Sequence, residues 1–198
     1  MIETARSLSS RMAAWLVLSL AALTGCASSP LPVHEVDGRP CVTFRKTHRP
    51  NQICAAAPAP ALAVERQVKR FEPDPTAGQV LVHWLERGGA TRPLQLGLDG
   101  RVVGELVPGG LVRLRLKPGV HELVVAWDGG RAALPLDAAA GRLVFAEIRA
   151  PLAWGARRFA WDLPDPVAAR ERALGARLLA DIDQRALALD GVTVKLLP

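Results

Sequence analysis

This sequence has few aromatic residues and no apolar run long enough to cross a bilayer. Its 198 residues include no tyrosine, four phenylalanines and five tryptophans, so aliphatic side chains must fill most of any core. The apolar stretch Met12–Leu23 has only twelve residues. As a helix it would cover about 18 Å, whereas the hydrocarbon core of a bilayer is about 30 Å thick. The stretch is therefore too short to be a stable membrane span.

The sequence also lacks the short motifs that mark common catalytic and cofactor sites. It contains no Gly-x-Ser-x-Gly, phosphate-binding Walker loop, dinucleotide-binding glycine fingerprint, His-Glu-x-x-His or Cys-x-x-Cys. His83 and His121 lie in alternating segments that predict strands, and His121 follows a Pro-Gly turn, where we expect it to bond backbone. We therefore expect no enzyme, no catalytic residue and no cofactor, with a hydrolase-type enzyme that uses His83 and His121 as the alternative.

No block of lysines or arginines occurs, although the chain carries a formal net charge of +6. The basic residues are mostly single arginines scattered through alternating segments, without a nucleic-acid-binding motif. We expect a mixed-charge, solvated surface and no nucleic-acid partner.

The first 26 residues have the organisation of an export signal. Arg6 and Arg11 precede the apolar stretch. Its last residue, Leu23, begins the motif Leu23-Thr24-Gly25-Cys26. This aliphatic-small-small-cysteine motif resembles the lipobox of bacterial lipoproteins. The resemblance implies that residues 1–25 are a cleaved signal peptide, and that Cys26 carries a diacylglyceryl group and an acyl chain such as palmitate on its new amine. A plain secretory signal or an N-terminal membrane anchor is the alternative.

The residue after the lipidated cysteine is Ala27 and not Asp. By the same resemblance, this favours a lipid-anchored protein on the periplasmic face of the outer membrane. The expected partners are the membrane itself, through the lipid, and other envelope proteins or cell-wall glycan. Trp127, Trp154 and Trp161 are expected to pack in the core or at its rim, with a ligand-stacking face as the alternative.

Lipidation of Cys26 would leave Cys41 and Cys54, an even pair. We expect a disulfide between them, because the compartment beyond the inner membrane is oxidising. The alternative is a metal site, since two cysteines and two histidines, His34 and His48, can hold zinc tetrahedrally. Their intervals lack the short pairs typical of zinc sites, so we expect no metal.

The chain divides by composition into an N-terminal segment, a sheet domain and a C-terminal part. Residues 26–78 contain the two cysteines and proline-rich stretches, and we expect a tether there that lifts the domain off the bilayer. Residues 79–162 alternate apolar and polar side chains between turn signals, which predicts about seven or eight strands in an antiparallel β-sandwich. The predicted strands are 79–86, 93–98, 101–107, 111–117, 120–127, 131–136, 141–149 and 156–163. Asp99-Gly100 predicts a two-residue type I′ hairpin turn.

Residues 96–127 carry a second resemblance. Asp99-Gly100, a Val103-Gly104 return strand and Pro118-Gly119-Val120-His121 resemble the PEGA-type, transthyretin-like module of bacterial envelope proteins. A group of uncharacterised domain-of-unknown-function lipoproteins has a similar block behind a lipobox. The resemblance covers residues 79–149 and implies a sandwich fold, and it says nothing of catalysis.

Residues 163–198 predict one amphipathic helix and a possible closing strand at 192–197. Asp165 is a good N-cap and Pro166 suits the first helical position. Asp190-Gly191 predicts an end near Leu189. The apolar stripe expected to pack on the sheet consists of Val167, Leu174, Leu178 and Ile182. Binding of this stripe to a membrane or a partner is the alternative.

Overall fold

The computed structural model describes residues 32–46, 48–150 and 158–184, which form a mainly β structure, as the sequence predicts. These residues contain twelve strands and two helices, α1 (Leu62–Val68) and α2 (Pro166–Gly175). The strands are β1 (His34–Val36), β2 (Arg39–Lys46), β3 (Arg49–Cys54), β4 (Gly78–Trp84), β5 (Leu94–Leu98), β6 (Arg101–Leu106), β7 (Gly110–Leu116), β8 (Gly119–Trp127), β9 (Gly130–Ala138), β10 (Leu143–Arg149), β11 (Ala160–Asp162) and β12 (Arg177–Asp183). Strands β4–β11 lie in the segments where alternation predicts strands, whereas β1, β2, β3 and β12 lie outside them.

A five-stranded sheet has the order β11-β10-β4-β7-β12. Strands β4 and β7 are antiparallel, as are β10 and β11, but β10 runs parallel to β4 and β12 runs parallel to β7. Antiparallel pairing therefore predominates without being complete, which corrects the expectation of a purely antiparallel arrangement. Parallel strands cannot be joined by a hairpin and need a crossover connection. Helix α2 is the last part of the chain that connects back to β12, which pairs with β7.

A four-stranded antiparallel sheet, β6-β5-β8-β9, shares one core with the five-stranded sheet. On β4, Val80, Val82 and Trp84 alternate into this core, where they are joined by Leu96 of β5 and Leu123 of β8. All five side chains are almost completely removed from water. The inner faces of the two sheets are thus buried together, and each such aliphatic side chain contributes about 1.5–3 kcal/mol by burial.

The two sheets also approach each other at their edges. Near one edge, Gly104 of β6 lies beside Ile182 of β12, whose Cδ1 would be 3.6 Å from a Cβ placed on the glycine. Near the other, Trp161 of β11 donates its Nε1–H to the carbonyl oxygen of Ala132 on β9, over 2.9 Å. These contacts cover parts of edge strands that would otherwise offer unpaired backbone groups.

The N-terminal strands β1, β2 and β3 form a third sheet that belongs to the same packing unit. Val42 and Phe44 of β2 and Ile53 of β3 are buried in the core of the two larger sheets. The Arg87 guanidinium lies 4.1 Å from the centre of the Phe44 ring, and Glu105 of β6 accepts a 2.8 Å hydrogen bond from the Ala56 backbone. Much of the segment interpreted as a tether is therefore folded against the core.

The turn between β5 and β6 has the backbone that its sequence predicts. Asp99 has a φ of 50° and Gly100 a φ of 78°, so both central residues occupy the left-handed region that a type I′ turn requires. Asp99 and Gly100 thus fix the register in which Leu98 faces Arg101.

Helices α1 and α2 cover the outer face of the five-stranded sheet. Asp165 caps α2 as predicted, because its Oδ1 accepts hydrogen bonds from the backbone of Val167 and Ala168. The prediction that this helix runs to Leu189 is wrong at its end, since α2 stops at Gly175 and β12 follows.

The face of α2 that packs on the sheet also differs from the prediction. Ala169 and Ala173 are buried, whereas Val167 is 68% exposed and Leu174 is 53% exposed. Alanine allows the helix backbone to approach the sheet closely. Leu178, expected on the helical stripe, instead lies in β12.

Some predicted features lie outside the described residues: the lipobox with Cys26, Trp154, and the closing strand at 192–197. Among the helices that are described, none has the length and apolar character to cross a membrane.

Candidate functional site

The two predicted disulfide partners lie side by side. Cys41 on β2 and Cys54 on β3 are directly opposite in the antiparallel register, with Cα atoms 4.0 Å apart and Sγ atoms 2.05 Å apart. The backbone N–H of Ala55 donates to the Pro40 carbonyl oxygen, which makes the Cys41–Cys54 position a non-hydrogen-bonded pair, where side chains are closest. The sulfurs are thus at disulfide-bonding distance, as the sequence predicts.

The histidines of the alternative metal hypothesis have other surroundings. His34 faces Cys41 across β1 and β2, and its Nε2 lies 3.2 Å from the Thr43 hydroxyl. His48 is exposed in the turn between β2 and β3. Within the described ranges, no three side chains of histidine, cysteine, aspartate or glutamate are grouped as a metal ion would need.

His121 has a structural setting at the start of β8. Its Nε2 lies 2.8 Å from the Lys117 carbonyl oxygen, so the prediction that it bonds backbone is confirmed. Its Nδ1 lies 2.8 Å from Asp99 Oδ2, and the other oxygen of Asp99 accepts from the Glu122 backbone. His121 therefore holds the β5–β6 turn against the Pro-Gly turn before β8.

His83 differs from His121, because it is 4% exposed and neither ring nitrogen has a hydrogen-bond partner among the described residues. It lies on β4, on the outer face beneath the helices, opposite Glu147 of β10. Burial, together with the nearby positive charges of Arg172 and Lys69, lowers the pKa of His83 to about 4. The ring is therefore neutral at physiological pH.

Beside it, the Glu147 side chain is 1% exposed, and both of its carboxylate oxygens are paired. Arg172 of α2 donates to both carboxylate oxygens, over 2.7 and 3.0 Å, and Arg149 donates over 3.0 Å. Arg149 also contacts Asp162 of β11 at 2.7 Å. A carboxylate held by two guanidinium groups anchors α2 to the sheet and has no free role as an acid or a base.

A second buried charge network joins α1 to β12. Glu65 accepts hydrogen bonds from Lys69, from the Leu178 backbone and from Arg177. Burial by itself raises the pKa of Glu65, but these three hydrogen bonds outweigh it and the net pKa is lowered. Arg177 additionally donates to Glu35 over 2.9 Å, so the N-terminal strand is tied to the same point.

The described residues also form an open groove of about 310 Å³ at one end of the four-stranded sheet. The 90–95 segment, which leads into β5, forms one wall, and the ends of β6 and β8 form the other. The groove is lined by Ala90, Thr91, Arg92, Pro93, Leu94, Gln95, Glu105, Ala126, Trp127, Asp128 and Phe159.

Aromatic rings form the floor of this groove. The Phe159 ring meets the Trp127 ring edge to face at 5.1 Å between centroids, and meets the Trp84 ring in the same way at 5.5 Å. Gly130 lies against the Trp127 ring, where a Cβ would come within 2.8 Å of it. Trp127 is partly buried and presents the rest of its surface to the groove. Trp161 is instead bound to β9.

Polar side chains with different hydrogen-bonding capacities surround this floor. The Arg92 guanidinium lies 3.5 Å from the Asp128 carboxylate, and both side chains are largely exposed. Such an exposed pair is weak, so a ligand can replace it at little cost. Gln95 and Glu105 face each other across β5 and β6. The groove thus combines an aromatic ring with planar donors and acceptors, which suits binding better than a proton-transfer or nucleophilic reaction.

Sequence reasoning did not identify the groove. It interpreted Asp128 only as part of a turn, and it gave Arg92 and Gln95 no role. The usable signal was the position of Trp127 at the end of an alternating strand, directly before that turn.

Compared with protein-family models, curated proteins and solved structures, this chain matches none of them.

Proposed function

We propose that this chain is a lipid-anchored protein of the bacterial cell envelope, on the periplasmic face of the outer membrane, with a binding or structural role and no catalytic one. The observation that carries the proposal concerns its three cysteines. Cys26 ends a lipobox-like motif, and the other two, Cys41 and Cys54, lie at disulfide-bonding distance. An exported, lipidated protein accounts for all three, since structural disulfides persist in oxidising compartments.

The experiment compares wild type with Cys26→Ser in a diderm host. The wild type is expected in the outer-membrane fraction after removal of residues 1–25, and the variant is expected to remain unprocessed. Identical processing and fractionation of the two proteins would refute the lipid anchor.

For the fold, we propose a β-sandwich of the transthyretin-like or PEGA type. The shared core of the two larger sheets and the type I′ turn at Asp99-Gly100 support this proposal. The two parallel strand pairs and the N-terminal sheet are additions to such a module.

For the partner, we propose cell-wall glycan, bound in the groove. A sugar ring has an apolar face that stacks on an aromatic side chain and hydroxyl groups that bond to planar polar groups. Trp127 provides the ring, and Arg92, Gln95 and Asp128 provide donors and acceptors. The groove is open to solvent, so its occupant can be one part of a larger glycan.

Co-sedimentation of the purified protein with insoluble peptidoglycan tests this. Arg92→Ala and Asp128→Ala are expected to weaken sedimentation, whereas Arg101→Ala, an exposed arginine at the start of β6, serves as the matched control. Equal sedimentation of all four proteins, or none of the wild type, would refute glycan binding in the groove.

The alternative stays a hypothesis: a metal-binding protein or hydrolase-type enzyme that uses His34, His48, Cys41 and Cys54, or His83 and His121. The metal-binding form of this alternative makes a prediction of its own. It predicts stoichiometric zinc in the purified protein and free thiols after chelation.

A further inference from the structure

Exposed apolar side chains are concentrated on the two helices. Leu62 of α1 is 58% exposed, and Val167 and Leu174 of α2 are 68% and 53% exposed. The last two are seven residues apart and share one face of α2. Exposed leucine and valine on a helix that has already buried its opposite face indicate a surface with a further contact.

The two helices form one continuous surface. The Arg170 guanidinium of α2 donates to the Arg70 carbonyl oxygen just after α1 and lies 5.0 Å from the centre of the Phe71 ring. At the other end, Arg177, just after α2, donates to the Pro60 carbonyl oxygen just before α1. The helices are thus antiparallel neighbours, and we call their outward side the helical face.

The helical face carries an excess of positive charge. Arg66 is exposed and shares a side of α1 with Leu62, four residues earlier. Arg70 is exposed just after α1, and Arg170 is exposed between Val167 and Leu174 on α2. Glu171 is the exposed acidic residue at the same level of α2. Exposed apolar side chains bordered by arginines offer an anionic bilayer both apolar area and charge attraction.

The position of the proposed lipid anchor favours the same orientation. The described chain begins at residue 32, six residues after Cys26, and six residues span at most about 20 Å. Glu35 accepts a hydrogen bond from Arg177, which also contacts Pro60 at the start of α1. An anchor at Cys26 is therefore held within about 20 Å of residue 32, and β1, which follows residue 32, is tied to the start of α1 through Arg177.

We propose that the helical face lies against the bilayer as a second membrane contact, with Leu62, Val167 and Leu174 at the headgroup level and Arg66, Arg70 and Arg170 toward anionic phospholipid. The proposal rests on the proposed lipid anchor. Apolar area and basic charge at the bilayer surface would add to the attachment that the lipid provides, and they would orient the domain. The domain then lies on the membrane and is not lifted away from it.

The test places an environment-sensitive fluorophore on the full lipidated protein through Leu174→Cys, or through Val167→Cys as a second site. Val120→Cys is the matched control, because this side chain is 80% exposed on β8 of the four-stranded sheet. Each labelled protein is inserted into vesicles of phosphatidylcholine with or without phosphatidylglycerol, and nitroxide-labelled lipid is added as the quencher. Mass spectrometry of the same samples confirms lipidation of Cys26.

At position 174 or 167, quenching in vesicles with phosphatidylglycerol is expected to reduce fluorescence by about twofold, with little change at position 120. Quenching is expected to fall when the anionic lipid is omitted.

Three results would overturn the proposal while leaving a lipidated Cys26 intact: equal quenching at positions 174 and 120, quenching independent of anionic lipid, or a fluorophore at 174 already shielded without vesicles. The last result would show that another part of the chain or a second copy covers the helical face. Absence of the lipid would instead refute the proposed function.

Discussion

Replacement of His83 by leucine is expected to make the protein less sensitive to mild acid. The histidine is buried under α1 and α2, with Arg172, Lys69 and Glu147 as its charged neighbours. Glu147 is already engaged by two arginines, so it does not offset the cost of a charged imidazole.

The size of the effect follows from proton linkage. In the unfolded chain this histidine has its ordinary pKa of 6.5, and in the folded protein its pKa is about 4. The unfolded state therefore binds a proton first as the pH falls below 6.5, and stability decreases until the pH approaches 4. The whole window is worth about 3 kcal/mol, of which about 2 kcal/mol is lost by pH 5.

Urea unfolding at pH 7.5 and pH 5 measures this directly for wild type, His83→Leu and the exposed control His48→Gln. Between pH 7.5 and pH 5, the free energy of unfolding of the wild type and of the control is expected to fall by about 2 kcal/mol more than that of the leucine variant. At pH 7.5, His83→Leu is expected to be at least as stable as wild type, because it removes a buried polar group without a hydrogen-bond partner among the described residues. If the free energy of unfolding depended on pH equally in all three proteins, His83 would not be a buried, neutral imidazole.

Three further changes test other parts of the structure. Replacing Cys41 and Cys54 by alanine is expected to lower the free energy of unfolding by about 3 kcal/mol, because the disulfide closes a loop between residues thirteen positions apart. Urea unfolding of reduced and of oxidised wild type should show a similar difference. Glu147→Ala should lower the free energy of unfolding by about 3–5 kcal/mol, because Arg172 loses its carboxylate partner and Arg149 keeps only Asp162. Glu147→Gln should cost less, and unchanged thermal unfolding of either variant would contradict the described pairing. Asp99→Ala should lower the free energy of unfolding by about 1 kcal/mol or more, because alanine is strained at a left-handed position and the contact with His121 Nδ1 is lost. Asp99→Asn should cost less in the same assay, because asparagine tolerates that conformation.

The central strands could be predicted from the sequence because local signals agree there. On β7, Val112, Leu114 and Leu116 alternate with Arg113 and Arg115, and a turn signal follows at Pro118-Gly119. The structure buries the three aliphatic residues in the main core.

Strand β12 was interpreted as helix for a physical reason. Leu178 and Ile182 are four residues apart, which is the interval at which two side chains share one face of a helix. In β12 a register shift between Leu178 and Ala180 instead places Leu178 beneath the helices and Ile182 against the main core. Only the parallel partner β7, which lies more than sixty residues earlier, decides between helix and strand.

The N-terminal sheet and the candidate site depend on contacts that a sequence pattern does not contain. Val42 and Phe44 do alternate with polar residues, but their burial comes from the two larger sheets. The groove likewise brings Phe159 next to Trp127, although they are distant in the chain. The isolation of His83 arises from the helices packed over it.

The central claim is that Cys26 becomes the lipidated first residue of the mature protein. Mass spectrometry of the N-terminal peptide from membrane-extracted protein tests it most directly. The account predicts a peptide that begins at Cys26 and carries a diacylglyceryl group. A peptide that begins elsewhere, or an unmodified thiol at Cys26, would contradict it.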